Sequence, residues 1–495
     1  MESLTNGAAM KLQDETVKSL LHKIVDYSPS GVVDFIQPVP LEKELTEKLE
    51  KAIQSSSPQE EANRDMEETA EYVMSRCVNT SHPYFLNQLY GGVHPMGLAA
   101  AYIVEKMNTN AHTYEVAPVF VLTERIILKK LRLLFFGNEE GDGICSPGGS
   151  MANMYGYTLA RHRYFPDAKQ KGLFNVPPLV LYTSQDSHYS ASKAANWMGL
   201  GLENVVKIKT NRFGAMISTE LEAAIKQTRA EGKIPLVVNA TAGTTVLGAF
   251  DDLESISDIC KRENVWLHCD AAWGGSFIFS ERLRIENMKG IEKCDSIAWN
   301  AHKMLGAPLQ CSIFITKEPD SLSKCNSLSA SYLFQPDKYY PIEYDRSGDK
   351  SFQCGRKPDA FKLWFMWVAL GTKGFQQLVE KAEDCARYIS EKISGRDDCI
   401  LYLDKHQCTN VFFWYVPPRL QGLDKTEAWW TELGEVTRKI KEKMVQEGDM
   451  MIGYSPLPHK NIPNAIRLVI PAYPPKSHTD MDFVLEKIFS LGKDF

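Results

Sequence analysis

Between residues 234 and 272 two apolar runs flank one amphipathic stretch, and that alternation leaves few folds open. "IPLVVNAT" (Ile234 to Thr241) is an apolar run of strand length, and "DLESISDICKREN" then places Leu253, Ile256, Ile259 and Cys260 at helical spacing. "VWLHCDAA" returns as a second strand. Strand, helix and strand with so short a return make a βαβ unit, which calls for a parallel sheet covered by helices on both faces. "LVLYTS", "SIAWN" and "CSIFIT" read as further strands of the same sheet, so the fold class is α/β. After "FKLWFMWVALGTKGF" the pattern changes: Phe375, Leu378, Val379, Ala382, Ala386, Ile389 and Ile393 line one face of a long helix. A smaller C-terminal α+β domain begins near there. Residues up to about 80 read as amphipathic helices with a polar joint at "QSSSPQEEANRD". The expected division is an N-terminal helical segment over 1–90, a large α/β domain over 91–365 and a small α+β domain over 366–495.

A chain of 495 residues exceeds what one core normally holds, and its 44% hydrophobic and 24% charged residues are globular in proportion. The net charge is −6 and no block of Lys or Arg stands out, which argues against nucleic acid and anionic membrane as partners. A small molecule is the expected partner. "GLAAAYIV" and "FKLWFMWVAL" fall short of the roughly 18 apolar residues a membrane-spanning helix needs, so they read as core. The start, "MESLTNGAAMKLQDE", has neither a basic-then-apolar export signature nor an Arg-rich transit character. Eleven cysteines, an odd number without a C-x-x-C pair, argue against both a disulfide framework and a structural zinc site. No metal centre is expected, and a reducing cytoplasm fits best.

In open parallel sheets ligands collect at the carboxyl ends of the strands. Here "LVLYTS" is followed by "QDSHYS" with His188, "VVNA" by "TAGTT" with Thr241, "WLHCD" ends on Asp270, and "IAWNAHK" ends on Lys303. Taken singly each has an ordinary reading: a hydrogen-bonded histidine, a turn-capping aspartate, or, in "CSPGGSMANMYG", a glycine turn with Ser150 as helix cap. Asp270, however, sits among small and apolar residues, and burying a carboxylate costs several kcal/mol unless a cation compensates. One ligand with a phosphate, a protonatable ring nitrogen and an aldehyde accounts for all of these residues together, and pyridoxal phosphate is that ligand. Gly148, Gly149 and Ser150, at a helix N-terminus, suit the phosphate. Asp270 suits the pyridinium nitrogen, and Lys303 is the amine that condenses with the aldehyde, kept neutral and nucleophilic by desolvation.

Ordered blocks then carry a resemblance over nearly the whole chain: "HPYFLNQLYGG", "NTNAHTYEVAPVFVL", "GDGICSPGGSMANMYG", "VNATAGTTVLGAFD", "LHCDAAWGGS", "WNAHKMLGAPLQCS", "SYLFQPDKYY", "QCGRKPDAFKLWFMW" and "MMIGYSP". The sequence resembles the group II pyridoxal-phosphate decarboxylases, in the acidic amino acid branch with glutamate decarboxylase, cysteine sulfinic acid decarboxylase and insect-type aspartate 1-decarboxylase. The resemblance implies a fold-type I architecture and a homodimer in which a mobile loop of one chain covers the site of the other. It implies that Lys303 binds the cofactor, that Asn300 and His302 contact its phosphate with Gly149 and Ser150, and that His188 stacks on its ring. Thr241 and Asp270 match ring-contacting residues. Tyr332 matches the acid that protonates the α-carbon once carbon dioxide has left, and Arg356 matches an arginine that binds a substrate carboxylate.

Gln88 and Tyr90 of "FLNQLYGG" and Asn110 and His112 of "NTNAHTYE" match segments that line the substrate pocket. Two positions depart from the pattern. Ala301 replaces the usual proline before His302, which touches geometry and removes no functional group. His112 replaces the usual Tyr or Phe, and either tunes substrate preference and its pH dependence or fills the same volume with a polar ring. At Tyr90 the glutamate enzymes carry a small residue, so a bulkier wall here shortens the pocket, an effect worth about 1–3 kcal/mol of discrimination. The expected reaction is decarboxylation of cysteine sulfinate to hypotaurine and of aspartate to β-alanine, with glutamate poor; the alternative is a glutamate decarboxylase making 4-aminobutanoate. A fold-type I aminotransferase, an aromatic amino acid decarboxylase and a non-catalytic relative are the other classes. Carbon dioxide stoichiometry, a dopa assay and cofactor absorbance separate them.

Overall fold

Every strand read from the middle of the sequence enters one seven-stranded sheet. The computed structural model describes residues 17–54, 59–328 and 330–495, so "MESLTNGAAMKLQDE" and the middle of the polar joint, 55–58, lie outside the described residues. Ahead of the sheet in sequence stands β1 (Phe85–Leu86), which belongs elsewhere. The sheet runs in the order β2 (Asp142–Ser146), β8 (Ser312–Thr316), β7 (Ser296–Asn300), β6 (Trp266–Asp270), β5 (Ile234–Thr241), β3 (Leu179–Ser184), β4 (Val205–Ile208). From β7 to β4 all neighbours are parallel. β8 runs antiparallel to both β2 and β7, within a sheet that is mostly parallel as expected. The reason is the connection: a parallel return needs a crossover of about a dozen residues or more, usually a helix, and residues 301–311 fold instead as a turn. Lys303 sits in that turn.

Both faces of the sheet are buried, as its unbroken apolar strands require. In β3, Leu179 and Leu181 join one core with Ala152, Tyr157 and Leu159 of the helix Gly149–Tyr164. Val180 and Tyr182 point the other way, into a core shared with Leu253, Ile256, Ile259 and Cys260 of the helix Leu253–Arg262. All four helix positions expected from the sequence are thus buried.

A second sheet has the order β1, β11 (Met451–Leu457), β12 (Ile462–Val469), β10 (Asn410–Tyr415), β9 (Cys399–Leu401). β1 pairs parallel with β11, so the chain before residue 90 contributes a strand to the C-terminal sheet. Helices Pro38–Gln54 and Gln59–Arg76, with helical residues 17–26, precede it. The helix Asp359–Ser394 runs across the expected boundary at 365/366 and is interrupted at Gly371, whose φ of 64° and ψ of 173° are not helical. Beyond the break Phe375, Val379, Ala382, Ala386, Ile389 and Ile393 are buried, with Leu378 packed at their margin.

Register places the chemistry. Thr241 pairs with Asp270 and Asp270 with Ala298, so β5, β6 and β7 end nearly level and present Thr241, Asp270 and Asn300 at one sheet edge.

Candidate active site

A cavity of about 180 Å³ lies at that edge. Its floor is formed by the three strand ends, with Asp270 from β6 and Thr241 from β5. Across from them the turn after β7 supplies His302 and Lys303, and the helix beginning at Gly149 supplies its first residues. His188, on the loop after β3, closes one side, and Gly243, Ala272 and Trp273 complete the wall. A broader, open cleft lined by Arg282, Glu383 and His406 lies elsewhere and holds none of these residues.

Local chemistry explains each placement. Gly148 has φ 96°, a left-handed conformation that favours glycine, and acts as the N-cap of the helix Gly149–Tyr164. A Cβ on Gly149 would stand 2.7 Å from Asn300 Nδ2, so only glycine lets the helix start approach the end of β7. The free N–H groups of that first turn, which includes Ser150, form a site for an anion. His302 Nδ1 accepts from the Cys311 amide at 2.9 Å, which leaves Nε2 as its donor. Burial, with Lys303 beside it, pushes His302 down to about 4, so its ring is neutral.

Lys303 is only partly exposed, and burial lowers its pKa from the usual lysine value, with Asp270 opposing the shift. His188 is likewise lowered by burial; its Nδ1 accepts from the Ser190 amide at 3.2 Å. Asp270 accepts two hydrogen bonds, from Asn153 Nδ2 at 2.8 Å and from the Ala272 amide at 3.1 Å. Thr241 Oγ1 and Asn300 Oδ1 are buried with no hydrogen-bond partner, although both side chains line the cavity. An unsatisfied buried polar atom costs about 1–3 kcal/mol, so the site is built to receive polar groups from a ligand. An anion site at a helix start, a carboxylate, a neutral ring, orphaned polar atoms and a desolvated amine together fit pyridoxal phosphate.

The fold and this pocket define a fold-type I pyridoxal-phosphate enzyme. The Pyridoxal-dependent decarboxylase conserved domain matches residues 43–416, and the chain belongs to that family. It is 48% identical over 423 residues to acidic amino acid decarboxylase GADL1 of Xenopus tropicalis, a match spanning 85% of this chain and 81% of that protein. With acidic amino acid decarboxylase GADL1 of Homo sapiens the identity is 47% over 423 residues, 85% of this chain and 80% of the other. The crystal structure of mouse CSAD superposes with a TM-score of 0.90 at 40% identity, covering 98% of this chain and 99% of that one. The protein is a carboxy-lyase that uses pyridoxal 5'-phosphate.

Other residues expected at the site stand apart from the cavity. Arg356 is buried, but its guanidinium pairs with Glu124 and donates to the Ala111 carbonyl at 2.8 Å and the Cys145 carbonyl at 3.5 Å. It is not part of the cavity wall, and the guanidinium expected to bind a substrate carboxylate is paired with a buried acid in this chain. Asn110 Oδ1 accepts from the Arg356 amide at 2.8 Å, which ties it to the same structural knot. His112 keeps a buried Nδ1 without a partner. Gln88 is exposed, and Tyr90 is half-buried with its ring 6.2 Å from Phe85. Tyr332 is 77% exposed on the surface of the single chain.

Two features escaped the sequence reading. Asn153 and His268 stand behind Asp270, within segments quoted only for their glycines and their acid. Arg467, on β12, donates from Nη2 to the Asn87 carbonyl at 2.7 Å, while its buried Nε has no partner. It makes no ion pair among the described residues, and burial lowers its pKa. Lys441 Nζ donates to Asn87 Oδ1 at 2.8 Å and is pushed down to about 8 by burial and by Arg467. The signal was an arginine in the otherwise apolar run "AIRLVI".

Proposed function

We propose that this chain decarboxylates small acidic amino acids, converting cysteine sulfinate to hypotaurine and aspartate to β-alanine, with glutamate a poor substrate. The observation that carries the acidic reading is Arg467: a largely buried guanidinium, joined by Lys441 and matched by no acid among the described residues. A substrate carboxylate supplies the missing anion, and a guanidinium fork binds it in two parallel bonds. The segment bonded to Arg467 runs on to the lysine turn, where the His94 amide donates to the Gly306 carbonyl at 2.8 Å. Tyr90 stands on that segment, at the position where the resemblance puts a bulkier pocket wall, and such a wall favours a substrate one methylene shorter than glutamate. The relatives named acidic amino acid decarboxylase support the same class.

When bound, pyridoxal phosphate accepts the electron pair released as the α-carboxylate leaves as carbon dioxide. The chain's own groups prepare that event. Gly149, Ser150, Asn300 and His302 would hold the phosphate, Asp270 and Thr241 would meet the ring, and His188 would lie against it. Lys303 provides the amine that anchors the aldehyde. Tyr332 delivers a proton to the substrate α-carbon, and closure of its loop excludes water while it does so.

In this reading the enzyme is a cytoplasmic homodimer. Its eleven free cysteines suit a reducing compartment. Apolar side chains exposed at Val17, Leu21 and Val25, and at Val119, Ile126 and Leu133 of the helix Pro118–Phe136, recur on one helix face each and suit a partner subunit. Purified protein loaded with cofactor and offered aspartate, cysteine sulfinate and glutamate separately tests the substrate claim. Hypotaurine and β-alanine should form faster than 4-aminobutanoate; glutamate turning over fastest defeats it.

A further inference from the structure

Beside Asp270 a file of side chains runs from Asn153, at the cavity wall, into the sheet core. Asn153 Nδ2 donates to Asp270 Oδ2 at 2.8 Å and to Ser190 Oγ at 3.0 Å. Asn153 Oδ1 meets His268 Nε2 at 3.0 Å, and His268 Nδ1 meets Ser296 Oγ at 2.8 Å. Trp266 Nε1 donates to the same Ser296 oxygen at 2.9 Å. Trp266, His268 and Ser296 are 0% exposed and Asn153 is 1% exposed, so water does not complete this set.

With Asp270 an acceptor only, one proton arrangement satisfies every member. Asn153 then turns Nδ2 to Asp270 and Oδ1 to His268 Nε2, and Ser296, which accepts from the donor-only indole of Trp266, gives its own hydrogen to His268 Nδ1. His268 then carries its hydrogen on Nε2 and donates to Asn153 Oδ1. With its oxygen so engaged, the Asn153 amide presents both N–H bonds forward, one to Ser190 and one to Asp270. The opposite tautomer of His268 would turn the amide about and set an oxygen against the carboxylate. Burial keeps His268 neutral, with its pKa near about 4, so it holds the one hydrogen this arrangement needs. Space is reserved for the ring: a Cβ on Gly156 would come within 2.4 Å of His268 Nδ1.

We propose that Asn153 and His268 are positioning residues that hold Asp270 as an acceptor-only carboxylate aimed at the ring nitrogen of the cofactor. The bonds from Trp266 through Ser296, His268 and Asn153 run toward Asp270, and Asn153 presents a donor to its carboxylate. The remaining lone pairs of Asp270 then face the cavity, ready for the protonated ring nitrogen. Asn153 also couples this carboxylate to the His188 loop through Ser190, whose amide donates to His188 Nδ1 at 3.2 Å. The proposal rests on the reading that Asp270 meets the ring nitrogen.

The test compares affinity of the full-length apoenzyme for pyridoxal phosphate and for its 1-deaza analogue, in which a C–H replaces the ring nitrogen. Asn153→Leu and His268→Leu should lose about tenfold for pyridoxal phosphate and stay within about twofold of the parent for the analogue. His268→Gln, which keeps an N–H donor, should retain pyridoxal phosphate. Equal losses for both ligands, or no loss, overturn the proposal. Asp270→Asn separates the two claims: if it shows no preferential loss, the ring-nitrogen reading fails with the proposal; if it does while Asn153→Leu and His268→Leu do not, only the proposal fails. Should these variants not fold, nitrogen-15 NMR of the unsubstituted apoenzyme decides, since His268 protonated on Nε2 agrees with the proposal and His268 protonated on Nδ1 overturns it.

Discussion

Lys303 is largely buried at the cavity wall, and the poor solvation of its ammonium lowers the cost of losing its proton. Deprotonation makes Lys303 nucleophilic, so cofactor uptake by the apoenzyme should speed up as pH rises through its pKa. Because that pKa lies below the ordinary 10.5, the rate should level off before pH 10.5 in a stopped-flow pH series; a rise continuing past it contradicts the assignment. The two arginines make the second residue-scale prediction. Arg356→Met leaves Glu124 buried and unpaired and should cost about 3–5 kcal/mol by denaturant unfolding. Arg467→Met removes a cation with no partner acid, and should change stability by less than about 1 kcal/mol while raising KM for the acidic substrates. The resemblance marked Arg356, and sequence pattern did not show its partner Glu124, 232 residues away. Pattern found Lys303, Asp270 and His188 because each follows an apolar strand, where local pattern and function coincide. Asn153 and His268 were hidden because their partners are brought together only by the sheet.

At the scale of elements, period and apolarity located β3, β5, β6, β7 and β8 closely, since strands buried on both faces read as unbroken apolar runs. The reversed direction of β8 was not visible, because its apolar pattern is the same whichever way the strand runs. β1 was missed for another reason: two residues are too few to show a period. The interruption in the helix Asp359–Ser394 depends on one residue. Gly371 adopts φ 64° and ψ 173°, a region reserved for glycine, and an added Cβ would meet nothing within 4 Å. Gly371→Ala should therefore destabilise by about 1–3 kcal/mol through backbone strain alone, read as a lower denaturation midpoint with an unchanged slope. Unchanged stability would mean that the helix tolerates the break without glycine.

For the whole molecule, the cavity of one chain contains the amine and the acid of the reaction but not the exposed Tyr332. If that tyrosine serves the partner's cavity, two dead variants should rescue each other. Co-expressed Lys303→Ala and Tyr332→Phe chains should form mixed dimers in which one of the two sites has both groups. Amine production should return to about a quarter of the parent level when subunits mix at random. No recovery would place Tyr332 on its own chain's site. Lys303 is the proposed anchor of the cofactor. Borohydride reduction of the loaded enzyme followed by peptide mapping addresses that directly. The pyridoxyl mass should appear on the peptide that contains Lys303 and vanish in Lys303→Ala; the mass on a different lysine, or none on the Lys303 peptide, would contradict the account.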